Sequence, residues 1–595
     1  MSQAYEVPLR DMNFLYFELF GGKEITDLEA YQDADPETIK AVLEEAAKFI
    51  EAEILPLNLS GDLEGCTLTD GEVTTPKGFK EAYTQLAEGG WTSLSGLQQY
   101  GGMGLPYSVG FMVSEMIAAA NQSFSMYPGL THGAAAVIEN YGSDEQKELY
   151  LSKFNEGSWS GTMCLTEPHC GTDLSLILTK AEPNDDGTHN LTGTKIFISS
   201  GEHDLTDNIV HLVLARLPDA PPGIKGISLF IVPKYLTDAS GEITERNGIV
   251  CGSIEHKMGI HGNATCVMNM TDAKGYLIGE PHRGMQAMFV MMNSARLGTG
   301  LQGFAIGERA YQGALNYARD RLQMRSLSGA KRPELKADPI IVHADVRRML
   351  LTIRAYTEGC RAMSYWIAQE LDIAEHHPDE ARRQKAEDLA ALMTPVIKAF
   401  STDKGFDSAN LGIQVFGGHG YVTEHGMEQF ARDARIAQIY EGTNGIQALD
   451  LVGRKLPMHD GRLLKTFFAM LDDFIAQHED NEAYAEFILP LTKATGGLKQ
   501  TSMWLATAGR ENPDHVGAAA VDYLHIFGLV TVAWMWTKMA ITAIEQDPDG
   551  ADEFYQGKIA TARFYMAKLL PHVYGHMQTA MSGSDSLMTY PDNAF

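Results

Sequence analysis

Apolar residues recur on one helical face over residues 38–50, at Ile39, Val42, Leu43, Ala46, Phe49 and Ile50. That spacing predicts an amphipathic helix. Residues 1–160 keep the same helical texture, interrupted by the loop Gly101-Gly102-Met103-Gly104-Leu105-Pro106. From 161 to 285 the texture changes to short β-rich runs, among them Ile209-Val210-His211-Leu212-Val213-Leu214 and Ile227-Ser228-Leu229-Phe230-Ile231-Val232. Pro, Gly and Asp clusters separate these runs, which predicts a compact β-barrel or sandwich. Long helical patterns return over 286–455, as in an antiparallel bundle. A polar stretch at 326–339, containing Pro333 and Pro339, reads as an extended loop within it. Beyond Lys455, Leu464, Phe467, Phe468, Leu471, Phe474 and Ile475 mark another one-faced helix. Residues 456–595 read as an added helical domain. The chain is therefore expected to be mainly α with a β middle domain, in four segments: 1–160, 161–285, 286–455 and 456–595. No repeat period or low-complexity tract appears.

Composition narrows the class. A length of 595 residues leaves room for about three or four domains, each with its own core. Hydrophobic residues make up 44% and charged residues 21%, ordinary for a soluble protein. The formal charge of −30 argues against nucleic acid as a partner, though not against a local pocket for a phosphorylated ligand. Cysteines at 66, 164, 170, 251, 266 and 360 form no CxxC pair. That excludes a disulfide framework and a zinc motif, so no metal site is expected and a reducing cytoplasm is the simplest setting. The start, Met1-Ser2-Gln3-Ala4-Tyr5-Glu6, has neither the apolar block of a secretory signal nor the Arg-rich character of a transit peptide. The most hydrophobic segment, 526–536, is too short to span a bilayer and reads as a buried helix rather than a membrane-surface contact.

Candidate chemistry gathers in a few motifs. Ile439-Tyr440-Glu441-Gly442-Thr443-Asn444-Gly445-Ile446-Gln447 sets a carboxylate on close-fitting backbone beside a hydroxyl and an amide. Gln414-Val415-Phe416-Gly417-Gly418-His419-Gly420-Tyr421 and Arg432-Asp433-Ala434-Arg435-Ile436 precede it. Upstream lie Cys164-Leu165-Thr166-Glu167-Pro168-His169-Cys170-Gly171-Thr172-Asp173, then Gly193-Thr194-Lys195-Ile196-Phe197-Ile198-Ser199, then Arg319-Asp320-Arg321. A glycine turn carrying a carboxylate is by itself usually a solvated turn. The company and order of these motifs change that reading. No GxGxxG run follows a strand and opens a helix, so a Rossmann site is not expected.

In this order the motifs resemble those of the acyl-CoA dehydrogenases over residues 40–455. The remainder is similar to that family's larger, C-terminally extended members, which act on long-chain acyl-CoA or 3-methylthiopropionyl-CoA. The resemblance implies an N-terminal helical domain, a β-barrel and a four-helix bundle. It further implies FAD-dependent α,β-dehydrogenation of an acyl-CoA thioester to a trans-2-enoyl-CoA. Glu441 would be the base that takes the α-proton, and flavin N5 would take the β-hydride. Electrons would pass to an electron-transfer flavoprotein, in fatty acid β-oxidation or 3-methylthiopropionyl-CoA breakdown. Some relatives carry the base on an earlier helix, but this chain has no Asp or Glu between His282 and Gly307.

The resemblance also assigns cofactor contacts. Met163, Leu165, Thr166, Gly171 and Thr172 match the loop bordering the isoalloxazine. Phe197 and Ser199 match the strand covering it, where many relatives have tryptophan in place of Phe197. Arg321, Gln414, Gly417 and Gly418 match residues that reach the flavin's diphosphate and ADP part from a neighbouring subunit, which implies a homodimer. Thr443 matches a further cofactor contact, while Arg296 and Gly442 match substrate-side positions. Relatives usually continue after Arg321 to Phe-Gly, whereas this chain has Met324-Arg325 and a longer loop, and glutamine often stands where Gly445 is. The alternatives are a flavin oxidase or monooxygenase of the same fold, whose members often lack the glutamate, and a non-catalytic acyl-CoA binder. Pocket-floor residues set acyl-chain length, and the sequence does not reveal them. Met285, Met288, Met291 and Met292 read as helix core.

Overall fold

Residues 5–238 and 240–595 are described by the computed structural model. Met1–Ala4, part of the N-terminal stretch read above, lie outside the described residues. The chain divides into two compact units, one of residues 42–298 and one of 1–41 with 299–595.

In the unit of 42–298, seven strands form the main sheet, beside two small two-stranded sheets. Strand Thr265–Ile278 pairs with His189–Ser199, which pairs with Lys180–Pro183. Lys180 meets Arg216 of strand Asn208–Arg216, which pairs with Ile227–Pro233. Ile227–Pro233 pairs back onto Thr265–Ile278, closing a barrel and leaving Ile249–Ile254 and Trp159–Cys164 at its margins. The apolar runs are continuous because both faces are buried. Along Asn208–Arg216, Val213 and Ala215 face the barrel core with Phe230 and Val232. Val210, Leu212 and Leu214 face the other way, with Leu229 and Ile231, against helix residues Val137 and Ile138. Met288 and Met291 lie fully buried in that second core, as their helical spacing predicts.

The predicted helix at 38–50 is found as Pro36–Phe49, with Ile39, Leu43 and Ala46 buried. The unit of 299–595 is built on long helices. Ala344–His376 and Glu380–Phe416 form a hairpin, with Asp379 capping the second helix through Ala381 N. The helix marked by Phe467 runs over Met458–His478 and buries Leu463, Phe467, Leu471 and Ile475. Left-handed backbone at His459, Asp460 and Gly461 breaks its first turn. The apolar segment 526–536 is only the middle of a 34-residue helix, Pro513–Gln546. Asn512 caps that helix and Pro513 occupies its first turn. By length and composition it could cross a membrane, but two-thirds of its apolar window is buried against other helices of the unit. It is a core helix.

Helix Pro513–Gln546 packs tightly on the hairpin. Trp536, fully buried, donates its indole N–H to Ala355 O at 2.9 Å. A Cβ on Gly359 would meet Val532 at 2.5 Å, so only glycine lets the two helices approach this closely. A buried ionic network extends the connection. Lys558 donates to Glu358 at 2.7 Å and to Asp11, and Arg361 pairs with Asp11 at 2.7 Å and Glu308 at 2.8 Å. Removing one partner from such a set leaves a buried charge uncompensated, at about 3–5 kcal/mol. The six cysteines are all free thiols.

Candidate functional site

The loop after strand Trp159–Cys164 is a tight turn in which Glu167 and Cys170 exchange backbone hydrogen bonds at 2.9 and 3.0 Å. Its organiser is the Glu167 carboxylate, which points inward. It accepts from Lys195 Nζ at 2.8 Å, Thr179 Oγ1 at 2.6 Å, Thr179 N at 3.1 Å and Leu178 N at 2.8 Å. Burial opposes its charge, but Lys195 and the other donors outweigh burial and hold Glu167 below the usual carboxylate range. Lys195, fully buried, also donates to Leu165 O at 3.0 Å. Ile196 N donates to Thr166 O at 2.9 Å. The backbone of Leu165 and Thr166 is thus fixed on the strand His189–Ser199. Met163, Leu165 and Thr166 are half-buried, while Gly171 and Thr172 are exposed. Ligand-type atoms of Glu167, His169 and Cys170 lie within 4.8 Å of one another. Glu167 is committed to Lys195, and His169 Nε2 lies 2.8 Å from Leu176 O, so the cluster belongs to this turn.

Phe197 sits on a bulge. Cys266 pairs with Ile198 and Met268 with Lys195, so Ile196 and Phe197 together oppose the single Val267. Phe197 takes φ +58° and is 59% exposed. Left-handed backbone at an aromatic residue costs on the order of 1–3 kcal/mol and persists only where the surrounding structure holds it. A buried core phenylalanine is thereby excluded. The bulge re-aims the ring outward. Ser199 pairs with Thr265 on the same ladder and is half-buried. Arg296 is buried on helix Gly284–Asp320.

In the unit of 299–595, the base-candidate loop is held from below. Glu441 has φ +56° and Gly442 φ +81°. Gln447 Nε2 donates to Glu441 O at 3.0 Å, and a Cβ on Gly442 would come within 2.5 Å of that same amide nitrogen. Lys398, fully buried, donates to Gly442 O at 2.7 Å and to Asn444 Oδ1 at 2.8 Å. Asn444 Nδ2 donates onward to Asp403 Oδ1 at 2.7 Å, and Gln438 Nε2 reaches the same oxygen at 2.7 Å. Tyr440 OH donates to Gln302, and burial pushes its phenol well above the usual range. Thr443 caps helix Asn444–Asp450, its hydroxyl accepting from Ile446 N at 3.4 Å. Two consecutive left-handed residues are therefore kept in place by a lysine and two amides.

A second surface lies in the same unit. A cleft of about 390 Å³ is lined by Tyr317, Arg321, Gln323, Phe416, Gly417, Gly418 and His419, with Ile340 and Val415. It brings together three predicted residues: Arg321, Gly417 and Gly418. Gln414 is exposed one turn earlier, its carbonyl accepting from Gly417 N at the end of helix Glu380–Phe416. The Arg321 guanidinium is exposed and has no hydrogen-bond or ion-pair partner among the described residues. Space is open where a Cβ of Gly417 or Gly418 would point. Tyr317 OH lies 2.8 Å from His419 Nδ1 and stacks on Phe416 at 4.1 Å. The stretch 326–339 is less loose than a polar loop suggests. Asp338, fully buried, accepts from Ser326 N, Lys331 N, Arg332 N and Arg325, and these donors hold it down at about 2 against the cost of burial.

Sequence reasoning missed the supporting residues: Lys195 with Glu167, Lys398 with Asn444 and Asp403, and the Asp338 knot. One signal was present for Lys398, a lone cation inside the apolar run Val396-Ile397-Lys398-Ala399-Phe400.

Comparison with known proteins accounts for nearly the whole chain. Family models match in order: acyl-CoA dehydrogenase N-terminal domain over residues 36–158, middle domain over 162–273 and C-terminal domain over 282–456. A fourth, acetyl-CoA dehydrogenase C-terminal like, covers 467–591. The chain is 44% identical to the 3-methylmercaptopropionyl-CoA dehydrogenase of Ruegeria pomeroyi, over 98% of this chain and 99% of that one. It is 34% identical to a butyryl-CoA dehydrogenase of Syntrophomonas wolfei, over 100% of this chain and 99% of the relative. The fold is shared with an acyl-CoA dehydrogenase of Bacillus anthracis solved in complex with FAD, at TM-score 0.74 and 22% identity, covering 93% of this chain and 90% of that one. On the four ordered segments and the full-length identity, the chain belongs to the acyl-CoA dehydrogenase family of oxidoreductases.

Proposed function

We propose that this protein is an FAD-dependent dehydrogenase of a short acyl-CoA thioester, 3-methylthiopropionyl-CoA foremost, with Glu441 as the base. The observation that carries the assignment of Glu441 is its own backbone. A carboxylate residue at φ +56° is strained, and the structure maintains that strain with Gln447, Lys398 and Asn444 rather than relaxing it. A solvated turn has no need of a fully buried lysine beneath it. The 44% identity to the Ruegeria pomeroyi enzyme supports the choice of substrate.

The residues fit the cofactor. Phe197 presents an exposed aromatic face for a planar ring. Met163, Leu165, Thr166, Gly171 and Thr172 supply half-buried apolar surface, hydroxyls and a loop with fixed backbone; Ser199 adds a hydroxyl. Arg321 offers an unengaged guanidinium beside open glycine backbone at Gly417 and Gly418, chemistry suited to a diphosphate. With Gln414, these hold the diphosphate of the FAD bound by a partner subunit, which makes the enzyme a homodimer. FAD, when bound, supplies the acceptor for the hydride leaving the substrate's β carbon. Glu441 takes the proton from the α carbon. Gly442 presents backbone to the thioester, Thr443 contacts the cofactor, and Arg296 serves the substrate side. An electron-transfer flavoprotein receives the electrons.

The test is anaerobic titration of the purified yellow protein with 3-methylthiopropionyl-, butyryl-, hexanoyl- and palmitoyl-CoA. Loss of the oxidised flavin band with the first at the lowest concentration is the expected result. A flavin that no acyl-CoA bleaches overturns the reading. Bleaching by palmitoyl-CoA in preference to the short thioesters overturns the substrate.

A further inference from the structure

The helices beyond the family's C-terminal segment reach the base loop through a pair of histidines. Asp403, on helix Glu380–Phe416, accepts from Asn444 Nδ2 and Gln438 Nε2 on one carboxylate oxygen, both at 2.7 Å. Its other oxygen faces His525 Nε2 at 3.3 Å. His525 is carried by helix Pro513–Gln546. Its ring stacks on that of His576, with centroids 5.1 Å apart and planes 10° from parallel. His576 Nδ1 lies 2.7 Å from Asp522. The ring of Phe400 lies 5.9 Å from that of His525, tilted by 60°. His525 Nδ1 is buried without a hydrogen-bond partner among the described residues, which fits a ring whose proton sits on Nε2 and points at Asp403.

We propose that His525 is a positioning residue for the base loop, acting through Asp403 to fix Asn444 and Gln438 and so the backbone that carries Glu441. Asn444 is the hinge of the argument. It meets Lys398, which holds Gly442 O, and its side-chain N–H group is anchored on Ala399 O, Thr402 Oγ1 and Asp403. Two donors share one oxygen of Asp403, and His525 Nε2, 3.3 Å from the other oxygen, is the contact that braces that side of the carboxylate. The stacked His576 and the tilted Phe400 hold the ring, so Nε2 is pre-set against Asp403 rather than recruited. The added C-terminal helices then belong to the catalytic apparatus and are more than a cover for the bundle.

This inference rests on Glu441 as base, and its test separates the two. His525→Phe keeps an aromatic ring in the stack and removes the donor, whereas His525→Gln keeps an N–H near the Nε2 position. In the holoenzyme, His525→Phe should lower kcat about tenfold with the KM for acyl-CoA changed less than about twofold, because a loosened base costs rate rather than binding. His525→Gln should recover kcat to within about threefold of wild type. Combining His525→Phe with Asp403→Asn should be no worse than Asp403→Asn alone, since both act on one chain of contacts. Amide hydrogen exchange over residues 438–447 should quicken in His525→Phe and in Asp403→Asn but not in His525→Gln. That readout does not depend on which residue is the base. Wild-type exchange and kcat in His525→Phe overturn the proposal, as do additive effects in the double variant. If His525→Phe does not fold, exchange in the other two single variants decides: equal rates in both overturn it.

Discussion

The loop at 165–172 and the loop at 439–444 solve the same problem with different neutralisation. Each is served by a fully buried lysine that lies near a left-handed residue: Lys195 is two residues before Phe197 on strand His189–Ser199, and Lys398 holds the loop that carries Glu441. Each lysine donates to a carbonyl of the loop it serves, Leu165 O at 3.0 Å and Gly442 O at 2.7 Å. Lys195 then meets a carboxylate directly, Glu167 at 2.8 Å. Lys398 instead meets the amide of Asn444, and Asp403 is reached one residue further on. A directly paired cation gives a rigid loop with little net field, as a bound ring needs. The cation under the base loop holds backbone and an amide, so it fixes the loop through Gly442 and Asn444.

The comparison breaks most readily at Lys195. Lys195→Met strands the buried Glu167 carboxylate and should cost about 3–5 kcal/mol in urea unfolding, with the flavin lost on purification. Lys398→Met deprives the Gly442 carbonyl and the Asn444 amide oxygen of a charged donor, and a loss of about 1.5–3 kcal/mol is expected. Its kcat should fall far more than its stability explains. Equal losses in the two variants would erase the distinction between direct and relayed pairing. Phe197→Gly relieves the left-handed strain at an exposed site and should stabilise the flavin-free chain by about 0.5–1 kcal/mol in the same unfolding experiment. Destabilisation there would mean the ring packs as core.

The smallest effect is in pH. The folded Glu167 carboxyl lies below its ordinary 4.5, so its stabilisation is fully present above that value and is lost as pH falls from it through the lower folded value. The gap in melting temperature between wild type and Glu167→Gln should therefore hold steady from pH 7 to about pH 5 and narrow only as pH falls below 4.5. A gap that stays constant would remove the ion pair from the account.

Periodicity made the elements legible and left their supports hidden. The helix at Pro36–Phe49 and the two-faced strands Asn208–Arg216 and Ile227–Pro233 follow from apolar spacing alone. The helix Pro513–Gln546 was underestimated because only its centre is continuously apolar, while its start is set by the Asn512 cap. Glu441 stands out as the base candidate through its family motif. Its strain does not, because a φ value comes from contacts with Gln447 and Lys398 that only folding brings together. Glu167, quoted within a motif, looked like a loop acid; its inward turn depends on Lys195, 28 residues later. Asp338 likewise reads as an ordinary polar residue until four backbone and side-chain donors converge on it.

The most direct test of the central claim is the rate at which 3-methylthiopropionyl-CoA bleaches the flavin of Glu441→Gln against that of wild type, mixed anaerobically at saturating substrate. The account predicts an unchanged oxidised spectrum before mixing and bleaching slower by about 10²–10⁴-fold in the variant. Bleaching at the wild-type rate would show that another group removes the α-proton, and that the strain at residue 441 serves something other than catalysis.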